Sequence, residues 1–123
     1  MLSLPASVKV YLAAGTTDMR KGMDSLAAAT RVVLDKDPYH GHVFVFCGRR
    51  RHVVKVLYGD NTGLWLIAKR LAKGTFAWPD APPSGASCVE LSTAELGALL
   101  GGLDLRRSTW REWGRPAADR VAV

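Results

Sequence analysis

Cysteine and histidine are scarce in this chain, with two of the first and three of the second. Cys47 and Cys88 are far apart, each in an apolar stretch. A disulfide framework needs more cysteines than this, and a zinc site needs ligands at closer spacing. Both residues are expected as buried free thiols in a reducing compartment. Long apolar runs are missing too, so no segment approaches the length of a membrane span. The opening Met1-Leu2-Ser3-Leu4-Pro5 has neither a basic n-region nor a long apolar h-region. The expectation is a cytoplasmic protein with no membrane partner.

Acidic residues are the minority charge, 11 against 17 lysines and arginines, and they are scattered. Two-metal phosphoryl transfer needs carboxylates converging on ions about 4 Å apart. Capping and turn roles account for Asp24 and Asp60 without it. His40 and His42 can share a strand face, yet no third metal ligand is near. Ser84 and Ser87 lack a nucleophile-elbow pattern. Gly15-Thr16-Thr17-Asp18-Met19-Arg20-Lys21-Gly22 is too loose for a phosphate-cradling loop, and there is no Walker sequence. The chain reads as a non-enzyme with no cofactor and no metal.

What is abundant is apolar surface and positive charge. With 123 residues, 48% apolar and 23% charged, the chain is long and apolar enough for one compact domain. Folding buries roughly two-thirds of the extended chain's surface at this size. A net charge of +6 points to polyanionic partners: DNA, RNA, an acidic protein face or an anionic membrane. Much of that charge is arginine, whose guanidinium grips phosphate in two-pronged fashion.

The residue pattern predicts an α+β fold, a small single domain built on an antiparallel β-meander with two helices. Residues 8–13 alternate as a first strand. The apolar stripe Met19, Met23, Leu26, Ala27, Thr30, Val33 and Leu34 marks a helix, capped by Thr17 or by Asp24 and ended before Asp37-Pro38. Val43-Phe44-Val45-Phe46-Cys47 is apolar on both faces and requires cover on both, from the helices or from a second copy of the chain. Strands over 52–58 and 64–70 follow across turns at 48–51 and 59–63, and Thr75-Phe76-Ala77-Trp78 is a candidate fourth strand of the meander. Residues 88–91 form a short strand. Ser92 with Glu95 three residues on is a capping box opening a helix that Gly101-Gly102 stops. The core is expected over 1–105, with 106–123 a basic tail containing tryptophan and arginine.

A meander sets its first and third bends at the same end of the sheet. Arg49, Arg50, Arg51 and His52 are therefore expected beside Lys69, Arg70 and Lys73, with no acidic residue in either segment, and Asp60 and Asn61 at the far end. Such a rim suits phosphates, although exposed turns are polar for solvation alone. In the tail, Arg106, Arg107 and Arg111 interleave with Trp110 and Trp113. That pattern suits stacking on bases with charge neutralisation of the backbone, and equally suits packing or docking of the indoles.

Taken in order, three groups of residues resemble one family. They are Gly15-Thr16-Thr17-Asp18-Met19-Arg20-Lys21-Gly22-Met23-Asp24-Ser25-Leu26-Ala27, then Gly41-His42-Val43-Phe44-Val45-Phe46 with Gly48-Arg49-Arg50, and last Lys55-Val56-Leu57 with Gly63-Leu64 and Lys69-Arg70-Leu71. The family is the TnpB-type second-reading-frame protein of the insertion-sequence family sixty-six, unrelated to the RNA-guided nuclease of the same name. The resemblance covers residues 4–107 and implies a small accessory protein encoded beside a separate DDE-type transposase and needed for efficient transposition. It carries over no catalytic residues. Where the family has a second aromatic after Leu57, this chain has Tyr58 followed by Gly59. Two functions fit: a DNA-associated accessory factor assisting the transposase, or a protein-interaction module bridging transposase subunits without touching DNA.

Overall fold

The computed structural model describes residues 8–32, 41–60, 62–80, 88–101 and 115–116. Strands β1 (Val10–Ala13), β2 (Val43–Cys47), β3 (Val53–Gly59), β4 (Leu64–Arg70), β5 (Cys88–Leu91) and β6 (Arg115–Pro116) join in one sheet, ordered β4-β3-β2-β1-β5-β6. Helix α1 (Met23–Val32) links β1 to β2, and α2 (Thr93–Leu100) follows β5. The fold is α+β, as its residue pattern predicts.

Strands β2, β3 and β4 form the expected antiparallel meander, with Val45 opposite Val56 and Val56 opposite Ile67. β1 pairs in parallel with β2, Tyr11 beside Phe44, and antiparallel with β5. Every residue of β2 is buried. Alternation along the strands divides its side chains between two cores. Tyr11, Phe44, Phe46 and Leu57 lie under α1 with Leu26 and Ala27. Val10, Val43, Val45, Cys47, Val54 and Val56 lie under α2 with Leu96, Leu99 and Leu100. Both layers of cover thus come from within the chain.

The second core contains a finding about the proposed fourth strand. Phe76 and Trp78 are buried in it, at 2% and 0% exposure, but 75–78 forms no strand. The Phe76 N–H reaches the β2–β3 bend instead, donating to the Arg51 carbonyl at 2.6 Å, beyond the Leu71 N–H, which donates to the His52 carbonyl at 2.8 Å and closes the β3–β4 ladder. The Trp78 indole N–H donates to the Ala13 carbonyl, 3.0 Å away. Residues 71–80 are held as an aromatic strap, not as a ladder.

The helix ends follow local chemistry. Ser92 accepts from Glu95 N–H while the Glu95 carboxylate accepts from Ser92 N–H, the reciprocal box expected there. α1 begins at Met23, with Leu26 N–H donating to the Gly22 carbonyl. Asp24 is therefore inside the first turn, where its charge meets the positive helix end, and is not the cap expected of it. At the far end of the meander, Asp60 accepts from the Trp65 indole and the Thr62 hydroxyl, each at 2.8 Å, and these donors lower its pKa to about 2. Asn61, and the expected end of α1 near Pro38, lie outside the described residues.

Candidate nucleic-acid interface

Because β1 and β2 run in parallel, the loops leaving both lie at one end of the sheet. Thr17 N–H donates to the Cys47 carbonyl at 2.8 Å and tethers the β1–α1 loop to the end of β2. Between that loop and the β2–β3 bend opens a cleft of about 800 Å³, with Thr16, Thr17, Arg20, Arg49, Arg50 and His52 in its walls. In open sheets with parallel strands, this carboxyl end is where ligands bind.

Gly48 makes the closeness of the two walls possible. A Cβ there would stand 2.6 Å from the Met19 Cγ across the cleft, well inside contact distance. Gly48→Ala is expected to displace Met19 and cost about 1–3 kcal/mol, the usual range for overpacking, in a urea titration. A variant as stable as the parent would show that Met19 swings aside freely.

The bend itself is a Gly48–Arg51 turn, with Arg51 N–H donating to the Gly48 carbonyl at 2.9 Å. Its three arginines divide by role. Arg49 and Arg50 are exposed and meet no carboxylate among the described residues. Arg51 has φ 61°, a conformation that costs a non-glycine residue on the order of 1 kcal/mol or more. Its guanidinium is tied down, Nη1 donating to the Trp78 carbonyl at 3.0 Å and Nη2 to Asp80 Oδ1 at 2.8 Å. Arg51 thus clamps the strap to the bend, and its charge is spent on Asp80.

The cations of β4 divide in the same way. Alternation puts Lys69, opposite Val54, on the α2 side, where its ammonium donates to the Leu100 carbonyl at 2.5 Å. There it satisfies the end of a helix whose last turn has no basic residue of its own. Arg70, opposite Val53 of the cleft wall, points to the other face and is exposed. Lys73 is exposed on the strap between the Leu71 and Phe76 backbone bonds. The structure therefore brings Arg49, Arg50, His52, Arg70 and Lys73 to one end, and turns Arg51 and Lys69 to structural work. Arg106, Arg107 and Arg111 lie outside the described residues. Of the tail, Arg115–Pro116 pairs with β5.

The β1–α1 loop adds groups that the sequence reading set aside. Arg20 grips Asp18 through Nε and Nη2, at 3.0 and 2.8 Å, and its backbone N–H donates to Asp18 Oδ1. Those hydrogen bonds hold the Asp18 carboxyl well below the usual carboxylate range and raise Arg20 above its own. The two charges cancel, so Arg49 and Arg50 set the sign of the cleft. Among the described residues no group of three or more His, Cys, Asp or Glu could hold a metal ion. His42 accepts a long 3.4 Å hydrogen bond from Lys9 N–H and sits edge-on to Tyr11, while His40 is outside the described residues. Burial pushes the Cys47 thiol up to about 11, and both cysteines are buried and outside any disulfide.

The family model for IS66 Orf2-like proteins matches residues 8–110. The chain belongs to that family. Two proteins of Sinorhizobium fredii are similar over nearly their whole length. The uncharacterized protein y4hO is 42% identical over 113 residues, covering 90% of this chain and 96% of its own. The uncharacterized protein y4jC is 31% identical over 116 residues, covering 94% and 97%. No solved structure matches. Membership of the IS66 Orf2-like family gives the chain a transposition-associated accessory role. No helix among the described residues is long and apolar enough to cross a membrane.

In this IS66 Orf2-like chain, segments 15–27 and 48–50, which carry much of the family resemblance, include both walls of the cleft. Thr16, Thr17 and Arg20 carry no site signal of their own, because the 15–22 loop taken alone is too loose for a phosphate cradle. The signal that could have found them is the β1–α1–β2 order, which sends that loop to the arginine bend. Arg51→Ala is expected to lose about 1–3 kcal/mol of stability, the range for hydrogen bonds made by a charged donor. Arg51→Lys should recover little of it, since an ammonium cannot reproduce the two-pronged contact. Full rescue by lysine would reduce the clamp to simple charge.

Proposed function

We propose that the chain binds DNA through its sugar–phosphate backbone, with little base readout, and in doing so assists the transposase of its element. The observation that carries this reading is the joining of the β2–β3 bend to the strap by backbone hydrogen bonds. It gathers Arg49, Arg50, Arg70 and Lys73 around one end, and none of them meets a carboxylate among the described residues. Backbone contacts of this kind position a protein without reading sequence.

The test is binding to transposon-end and unrelated DNA over a salt series. Four phosphate contacts predict a slope of log affinity against log salt of about −3 to −4, similar for both DNAs. A flat slope or no binding returns the weight to the second reading, a module that bridges transposase subunits. Trp65 and Ile67, exposed on β4, favour that second reading as a protein-facing surface. Co-purification with the transposase after nuclease treatment supports it, whereas loss of co-purification on nuclease treatment supports DNA as the link.

A further inference from the structure

Of the three large apolar side chains left exposed among the described residues, two lie on one strand: Trp65 at 51% and Ile67 at 37%. Among the described residues that strand, β4, is the outermost on its side of the sheet. Pairing with β3 consumes only half of its backbone groups. At the two ends of the ladder, Asp60 N–H donates to the Gly63 carbonyl and Leu71 N–H to the His52 carbonyl. In an antiparallel ladder such pairs alternate. Residues 65, 67 and 69 therefore turn their backbone toward β3. Leu64, Leu66, Ala68 and Arg70 turn theirs toward the open edge.

Open edges are ordinarily defended by proline, by a bulge or by a charge in mid-strand. β4 has none of these over its first five residues, Leu64-Trp65-Leu66-Ile67-Ala68, and its cations come only at the end. From these observations we infer that β4 is an interface for a second copy of this chain, paired antiparallel about a two-fold axis at Ile67.

The occupant follows from the strand's own complementarity. Ile67 is the midpoint of the seven residues, so this register pairs all of them. Leu66 exchanges hydrogen bonds with Ala68 of the second copy, and Leu64 with Arg70, which uses the outward-facing groups alone. Trp65 faces Lys69 of the second copy, the indole lying along the aliphatic stem of a lysine whose ammonium is held by the Leu100 carbonyl. The two Ile67 side chains face each other in a non-hydrogen-bonded pair, the closer kind. A parallel partner would set Lys69 and Arg70 beside their own copies. The antiparallel one separates the two basic ends by the length of the strand, about 20 Å at 3.4 Å per residue. Such a contact is isologous and closes at two copies. If the proposed DNA reading also holds, the pair presents one basic cleft at each end of a continuous sheet and grips two DNA segments.

Sedimentation of the full-length chain across concentration, without DNA and at high salt, tests the interface apart from DNA binding. A dimer is expected, weakened at least tenfold by Ile67→Lys, with circular dichroism and melting like the parent because Ile67 is exposed. Under oxidation, Ile67→Cys is expected to give a covalent dimer and Trp65→Cys to give none. Cys47 and Cys88 are buried and contribute no link. A monomer at every concentration, a dimer indifferent to Ile67→Lys, or equal cross-linking at 65 and 67 would each overturn the inference.

Discussion

Replacing Arg49 and Arg50 together by alanine should flatten the salt dependence of DNA binding by about 1.8 in slope, two phosphate contacts at about 0.9 each. Affinity near 50 mM salt should fall on the order of a hundredfold, because that much of the binding at low salt is phosphate neutralisation. Both side chains are exposed and meet no carboxylate among the described residues, so the folded chain loses nothing that holds it together. Stability should stay within about 0.5 kcal/mol of the parent. The double lysine variant restores charge at both positions and should return most of the slope. Arg51→Ala makes the opposite profile, since its guanidinium is bound to Trp78 and Asp80: stability drops while the slope changes little. Fluorescence anisotropy with a labelled duplex reads both quantities. An unchanged slope in the Arg49/Arg50 variant would remove the bend from any account of DNA binding.

The largest loss of stability is expected from Trp78→Ala. This indole, carried by the strap, is fully buried in the core on the α2 side, and its N–H satisfies the Ala13 carbonyl at the end of β1. Truncating a buried tryptophan costs about 3–5 kcal/mol. For a domain whose whole stability is roughly 5–15 kcal/mol, that is about a fifth of the total or more. Trp78→Phe keeps most of the volume but strands the Ala13 carbonyl, so a smaller loss of about 1–3 kcal/mol is expected. The effect should reach the bend as well. The Trp78 carbonyl receives Arg51, and a loosened strap frees the guanidinium that holds φ 61° in place. Urea unfolding followed by circular dichroism measures these losses. A cost below about 1 kcal/mol for the alanine variant would mean that the strap is decoration on a core that closes without it.

Much of this molecule was legible in its residues before any coordinates. The capping box of Ser92 and Glu95 spans four positions and depends on nothing else. The β2–β3–β4 meander follows from two short turns and from alternation that forces the register. Its consequence, that the 48–52 bend and the 69–73 segment share an end, followed from topology alone. Asp24 and residues 75–78 show the limit. At α1, Gly22 takes the cap position and Asp24 serves the first turn, a difference of two residues that sequence signals do not resolve. At 75–78, alternating aromatics looked like a strand. The backbone donor of Phe76 went to the Arg51 carbonyl of the bend instead, and Pro79 has no donor to extend a ladder.

Residue identity and short spacing settled the α2 cap, the meander, the surplus of positive charge and the family. Tertiary structure alone decided which of those charges are available. Arg51 finds Asp80 at a separation of 29 residues, Lys69 finds Leu100 at 31, and the Thr16–Arg20 loop reaches the arginine bend through the parallel pairing of β1 with β2. The physical reason is that periodicity encodes which face a side chain takes, whereas a cation's partner is set by what distant chain the fold delivers within 3 Å of it.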